Sequence, residues 1–161
     1  MAGFTMVELL AAVVIIGIVT SMAAPELERS IQRIKFRSET KNLLSTLRTA
    51  RSHAIADKNP YGVYFDANAL TIILFKDITN PSNFTYDAGS DSVLRADTLP
   101  SEFVYLNATF PNSAVIYGAN GTAQATGDVY MMSTPSATIN LTQLNVLAST
   151  GRSKIQYIHN Y

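Results

Sequence analysis

Hydrophobic and polar positions divide the chain into three regimes. From Leu9 to Ala24 the run is almost wholly apolar, and between Phe4 and Ala24 the single charged side chain is Glu8. At about 1.5 Å per residue, a helix over this segment is roughly 30 Å long, enough to cross a bilayer core. An ionisable group in such a helix costs ~2.5 kcal/mol or more at the bilayer centre and marks a function. Glu8 lies near one end, where the cost is lower, but it still wants a partner. After Pro25 the pattern becomes helical and amphipathic. Leu27, Ile31 and Ile34 recur at helical spacing, followed by Leu43, Leu47, Ala50 and Ala54. The stretch to Asp57 has no Gly or Pro and is rich in Leu, Ala, Arg, Lys and Glu. Pro25 lacks an N–H and kinks a helix or starts a new one, whereas Asn59-Pro60 ends it. The prediction is one long helix, apolar all round in its first half and striped in its second. The rest of the chain must supply a surface for that stripe.

Beyond Pro60 the period shortens to two. Tyr61, Val63 and Phe65 share one face of a short strand, Asp66 to Ala69 form a turn, and Leu70–Phe75 is a second strand, so the pair reads as a hairpin. Residues 79–92 are a polar surface loop. Further strands are predicted at Phe103–Leu106, Ala114–Tyr117, Asp128–Met132, Thr138–Val146 and Ser153–Ile158, with a tight turn at Asn120-Gly121. The head is therefore rich in β-structure, and its sheet has one natural partner, the Leu43–Ile55 face of the helix.

The opening residues, Gly3-Phe4-Thr5-Met6-Val7-Glu8-Leu9-Leu10 before an apolar helix, resemble the processing and assembly signature of type IV pilins and type II secretion pseudopilins. That resemblance implies the pilin fold, an α+β architecture in which a long N-terminal helix, transmembrane in its first half and amphipathic in its second, packs on an antiparallel β-rich head. It implies that a prepilin peptidase cleaves between Gly3 and Phe4 and that the new N-terminus, Phe4, is N-methylated. Glu8 would then pair with the N-terminal amine of a neighbouring subunit during assembly. Gly17 and Pro25 stand where the family commonly has a helix Gly and Pro, and they delimit a segment expected to unwind in the filament. Leu47-Arg48-Thr49-Ala50-Arg51-Ser52-His53-Ala54-Ile55, with Ser149-Thr150-Gly151-Arg152 before a last strand, resembles the FimT-like and GspH-like minor pilin branch. The division that follows is 1–3 as leader remnant, 4–24 as transmembrane and filament-core helix, 25–58 as its amphipathic continuation and 59–161 as head.

Composition adjusts this picture in three places. The chain has 161 residues and no Cys, which excludes a disulfide framework, a thiol nucleophile and a Cys-based metal site. Many major type IV pilins, in contrast, close a C-terminal loop with a disulfide. Net charge is zero but unevenly placed. Arg29, Arg33, Lys35, Arg37, Lys41, Arg48, Arg51 and Lys58 face only Glu39 and Asp57 along the helix, whereas the region from Asn59 to Gly151 is acidic. A basic helix joined to an acidic head favours attraction between stacked subunits. Only Met1 and Ala2 precede Gly3, and neither carries the positive charge that keeps a leader cytoplasmic. The start therefore reads as internal to a longer leader or as a short-leader variant.

Candidate chemistry is sparse. His53 and His159 have no catalytic partners or metal-ligand spacing around them, and Gly118, Gly121 and Gly127 read as turn glycines rather than a phosphate loop. Asp87, Asp91 and Asp97 with Ser90 and Ser92 carry oxygen ligands but fit no calcium loop, and they read as an acidic surface. Four Asn-x-Thr matches begin at Asn83, Asn107, Asn120 and Asn140 and are unremarkable in an Asn- and Thr-rich head. No catalytic residues, cofactor or metal are expected, and the chain does not read as an enzyme. It reads as a filament subunit. The expected partners are copies of itself and other pilins or pseudopilins, the prepilin peptidase, an inner-membrane assembly platform, and membrane lipid before assembly. The expected location is the inner (cytoplasmic) membrane as a single-pass precursor, then a periplasmic or cell-surface filament. The alternative is a minor tip pilin that binds DNA or a surface through its tail, where Arg152 and Lys154 stand beside Tyr157 and other polar residues. Members of the FimT-like branch are implicated in DNA uptake. The competing reading of that tail is an edge strand protected by charge.

Overall fold

Thr5 opens the longest element in the computed structural model, which describes residues 5–79, 83–134 and 140–160. The Glu8 N–H donates to Thr5 Oγ1 at 3.3 Å and the Glu8 carboxylate accepts from the Thr5 N–H at 3.4 Å, a reciprocal cap. From there α1 runs unbroken over Met6–Asp57, with Pro25 inside it. Lys58 closes it in the left-handed region at φ 55°, just ahead of Pro60. The predicted end of the helix is thus borne out.

Eight strands follow: β1 Tyr61–Asp66, β2 Thr71–Lys76, β3 Ser92–Thr98, β4 Phe103–Ala108, β5 Ala114–Tyr117, β6 Gly127–Ser133, β7 Asn140–Val146 and β8 Ser153–Asn160. They form two antiparallel sheets, ordered β3-β2-β1-β5 and β4-β6-β7-β8. The sequence reading led to a single sheet; the chain makes two. Alternate residues of each sheet turn inward, and the two share one core with α1. Leu43, Leu47, Ala50 and Ala54 pack there against Val63, Phe65, Val129, Met131, Leu144 and Val146. Phe36 stacks on Phe103 with ring centroids 5.6 Å apart. Thr40 and Thr46 also lie on the buried side of the helix, and their hydroxyls donate to the carbonyls of Phe36 and Asn42 one turn back. Each of these two hydroxyls is thereby satisfied inside its own helix.

Three expectations need correction. The first is β3, a strand that the sequence does not predict, since the expected loop ends at Ser92 and the next expected strand begins at Phe103. Its side chains are exposed on both faces, with Val93 and Leu94 adjacent rather than alternating, so no period of two marks it. It exists because its backbone pairs with β2. The second is Gly127, which opens β6 instead of forming a turn. The third concerns the helix stripe. The head buries α1 fully from Phe36 upward and half-buries Gln32 and Arg33 below it, but Leu27, Ile31 and Ile34 stay exposed. Asn120-Gly121 does form the expected tight turn, closed by a 2.8 Å bond from the Gly121 N–H to the Gly118 carbonyl. Thr138 and Ile139, predicted to begin a strand, lie outside the described residues.

Above β2, the Asp91 carboxylate gathers the N–H groups of Ile78, Thr79 and Asp87 and so organises the start and end of the long loop. Asp77 is buried beside it with neither carboxylate oxygen bonded among the described residues. Burial, and then the charges of Asp91 and Asp87, push its acid up to about 6. Asp97 is on β3, paired with Arg95 at 2.6 Å. Among the described residues no three acidic or imidazole side chains form a metal-holding group.

Candidate functional site

Two places carry the residues singled out by the sequence. The first is the N-terminal half of α1. Gly3 and Phe4 lie outside the described residues. Glu8 is exposed on the first turn, and among the described residues its carboxylate reaches only Thr5, at 3.3 to 3.4 Å. Those long, solvent-facing contacts leave the carboxylate able to accept a further donor from outside the chain. Every residue from Met6 to Ala24 is exposed, so a helix long and apolar enough to cross a membrane has no protein cover of its own.

Farther along, Pro25 offers no N–H to the Ser21 carbonyl. The hydroxyls of Thr20 and Ser21 donate instead to the carbonyls of Ile16 and Ile18, both at 2.7 Å. Gly17 has nothing within 4 Å of the place a Cβ would occupy. In the isolated chain the helix is continuous through all of these positions.

The second place is the seam between α1 and β8. Arg48, Arg51 and Ser52 on the helix and Gly151, Arg152 and Ser153 on the strand's approach line a polar cleft of about 360 Å³. Its geometry rests on two turns. Gly151 sits at φ +61°, and a Cβ there would come within 2.1 Å of the Gly121 carbonyl oxygen. Arg51 Nε donates to that same oxygen at 2.8 Å, tying the helix to the turn. The predicted Ser149-Thr150-Gly151-Arg152 turn is thus the piece that brings Arg152 beside the two helix arginines. Lower on the seam, the Arg37 guanidinium lies over the Tyr157 ring, 5.7 Å from its centroid.

Lys154 does not join this cluster. It pairs across the sheet with Asn145, whose side chain donates to Asp128 at 2.9 Å. The residues missed by sequence reasoning are Arg48 and Arg51 as cleft-lining cations. Both were counted in the basic run of the helix, but the segment that meets them lies about a hundred positions away in the sequence. His53 stacks on Tyr61 at 5.3 Å and has no ligating or catalytic neighbours in the cleft. The side chain of His159 lies outside the described residues.

Comparison with known proteins adds the following. The family described as Type II transport protein GspH matches residues 39–151. The prokaryotic N-terminal methylation motif matches residues 1–24. No curated protein sequence matches the chain. Among solved structures, the chain is similar to the minor pseudopilin EpsH from the Type 2 Secretion System of Vibrio cholerae, at 10% identity and a TM-score of 0.55, covering 75% of this chain and 95% of that one. It is also similar to the type IV minor pilin FimU of Pseudomonas aeruginosa, at 13% identity and a TM-score of 0.58, covering 81% of this chain and 98% of that one. At these identities the structural likeness speaks to the fold.

Proposed function

The chain belongs to the GspH family of pseudopilins and minor pilins, and from that premise we propose that it is a structural subunit of a type IV pilus-like or type II secretion filament. The observation that carries this reading is the uncovered apolar half of α1 with one carboxylate on its first turn. In the bilayer, lipid covers that surface. In a filament, neighbouring helices replace the lipid, and Glu8 receives the amine of a neighbour's Phe4. Cleavage after Gly3 by a prepilin peptidase creates that amine, and N-methylation leaves it able to carry a positive charge. The methylation motif and the apolar helix fit a membrane-anchored precursor, which an inner-membrane assembly platform then moves into a periplasmic or surface filament. The family consists of structural subunits rather than enzymes. Electron microscopy of sheared filaments, with mass spectrometry of their subunits, tests the reading. Absence of this chain from every such filament overturns it.

In the assembled state the segment from Gly17 to Pro25 unwinds. Gly17 is a weak helix former, Pro25 leaves the Ser21 carbonyl without its donor, and the hydroxyls of Thr20 and Ser21 are at hand for freed backbone groups. Hydrocarbon penalises unpaired backbone, so the stored subunit stays helical there. A filament map with continuous α-helix from Phe4 to Asp57 refutes this.

A second reading is favoured by one observation, the meeting of Arg48, Arg51 and Arg152 around a single cleft. Three cations so placed bind phosphates of DNA without regard to sequence. Titration of the head, freed of residues 1–28, with duplex DNA at several salt concentrations measures this. The Arg48→Gln/Arg152→Gln variant is expected to weaken binding and flatten the log–log salt slope by roughly 2, at about 0.9 per phosphate. Lys154→Gln, outside the cleft, is expected to change the slope less. A head that binds no DNA at low salt ends this reading.

A further inference from the structure

On the first sheet, one apolar patch turns away from α1. Gly62 stands between the core residues Tyr61 and Val63, and its register partners are Phe75 on β2 and Ile116 on β5. A Cβ on Gly62 would come within 2.5 Å of the Phe75 ring and 2.9 Å of Ile116, so those side chains close over it. Both are buried. Part of their cover comes from residues 83–91, where the Tyr86 ring packs 4.9 Å from that of Phe75 and 5.0 Å from that of Tyr64. One carboxylate holds this stretch in place. Asp91 accepts the N–H groups of Ile78 and Thr79 at 3.1 and 3.2 Å, just past β2, and that of Asp87 at 2.9 Å, next to Tyr86.

Asp77 adjoins this knot, with its own N–H donating to the Pro60 carbonyl at 3.1 Å. Its side chain is 2% exposed, and neither oxygen has a donor among the described residues. The charges acting on it, Asp91 and Asp87, share its sign. Nearby cations are engaged elsewhere: the Lys76 ammonium lies over the Tyr61 ring, 5.6 Å from its centroid, and Arg95 on β3 pairs with Asp97 at 2.6 Å. On α1, His53 stacks on Tyr61 and Asp57 accepts from its hydroxyl. An ionised carboxylate buried without donor or cation is costly. Of two such neighbours, the one with three N–H donors keeps the charge and the other takes a proton.

We propose that Asp77 is a proton-held latch: protonated, it lets Asp91 pin residues 83–91 over Phe75, and ionised, it repels Asp91 and loosens that hold. Every group involved belongs to the head, so the latch stands or falls apart from the filament reading. A proton fits the place better than a metal ion does. Among the described residues no three acidic or imidazole side chains converge there, and both Asp91 oxygens already accept N–H groups. The direction of the effect follows from the acid of Asp77, which burial and its neighbours raise from an ordinary 3.8 to about 6. The pinned arrangement therefore gains on the loosened one as pH falls through that window, and the gain is lost as pH rises through about 6. Between about pH 7.5 and about pH 5 the opening equilibrium is expected to fall about tenfold.

Amide hydrogen exchange, followed by NMR on the detergent-solubilised full chain at both pH values, tests the latch. Protection factors, corrected for the intrinsic pH dependence of exchange, are compared for the N–H groups of Ile78, Thr79 and Asp87. Those of Val129 and Leu144, in β6 and β7, serve as the reference. In the wild type the first three are expected to gain about tenfold in protection at the lower pH relative to the reference. Asp77→Asn, which cannot ionise, is expected to keep the higher protection at both. Infrared spectra give a second readout that needs no variant: a protonated, buried carboxyl band present at about pH 5 and lost by about pH 8, in step with the loss of protection. A flat wild-type profile, or absence of that band, overturns the latch. The same pH dependence in a folded Asp77→Asn chain assigns the effect to another group and also overturns it. Calcium chloride that restores full protection at about pH 7.5 overturns the proton as occupant.

Discussion

Replacing Glu8 by Ala is expected to remove this chain from filaments while leaving it in the membrane. On the proposed filament reading, the Glu8 carboxylate in a core shielded from water is the counter-charge for a neighbour's N-terminal amine. Removing one member of a buried ion pair leaves the other desolvated and unpaired, at a cost of about 3–5 kcal/mol. At 1.4 kcal/mol per factor of ten, that is roughly a hundredfold or more in incorporation. The same change also removes the carboxylate half of the cap, its bonds from the Thr5 N–H and hydroxyl, while the residue-8 N–H still donates to Thr5 Oγ1, so the loss at this exposed helix end is less than about 1 kcal/mol. That smaller loss does not expel the helix from a bilayer, where unpaired backbone keeps the segment helical. Immunoblots of sheared-filament and membrane fractions separate the two effects. Normal filament yield from Glu8→Ala, beside intact membrane levels, overturns the role assigned to this carboxylate.

Gly151→Ala is expected to be among the most destabilising single-methyl additions in the head. The position has φ +61°, which costs an L-residue about 1–2 kcal/mol, and the added Cβ would lie 2.1 Å from the Gly121 carbonyl oxygen. Backbone must move to relieve that contact, and the oxygen that moves is the one holding Arg51 Nε at 2.8 Å. Together the strain, the overpacking and the loosened guanidinium contact come to about 3 kcal/mol. For a domain of this size that lowers the melting temperature by roughly 10 °C. Circular dichroism melts of the detergent-solubilised chain measure it. A control is Gly89→Ala, at another positive φ but with nothing within 4 Å of the new Cβ, which bears the conformational cost alone. Equal melting points for the two variants would show that the clash at Gly121 is relieved without cost.

Much of the chain could be read from its residues because the signals are local. A run with one charge between Phe4 and Ala24 specifies a membrane-length helix, and Pro60 after Asn59 specifies its end, since both depend on backbone chemistry of adjacent residues. The strand β1 announced itself by the alternation of Tyr61, Val63 and Phe65, whereas β7 buries Asn140, Thr142, Leu144 and Val146 and leaves Leu141 only half-buried, the opposite face to the one its apolar residues suggested. The N-terminal family motif was also local, and the match of residues 1–24 to the prokaryotic N-terminal methylation motif agrees with it. What the sequence by itself left open were relations between distant segments. The split into two sheets depends on which strands pair, and β3 depends on pairing alone, because no buried face patterns its side chains. Leu27, Ile31 and Ile34 share helical spacing with the core-facing residues, yet only the position of the head shows that they point the other way. Arg152 and Lys154 are two residues apart in the chain. The Gly151 turn carries the first to Arg48 and Arg51, while strand pairing sets the second opposite Asn145. Local sequence fixes backbone state through sterics and burial period; which side chains meet is decided by long-range packing, where contacts far apart in sequence form only once the whole core has closed.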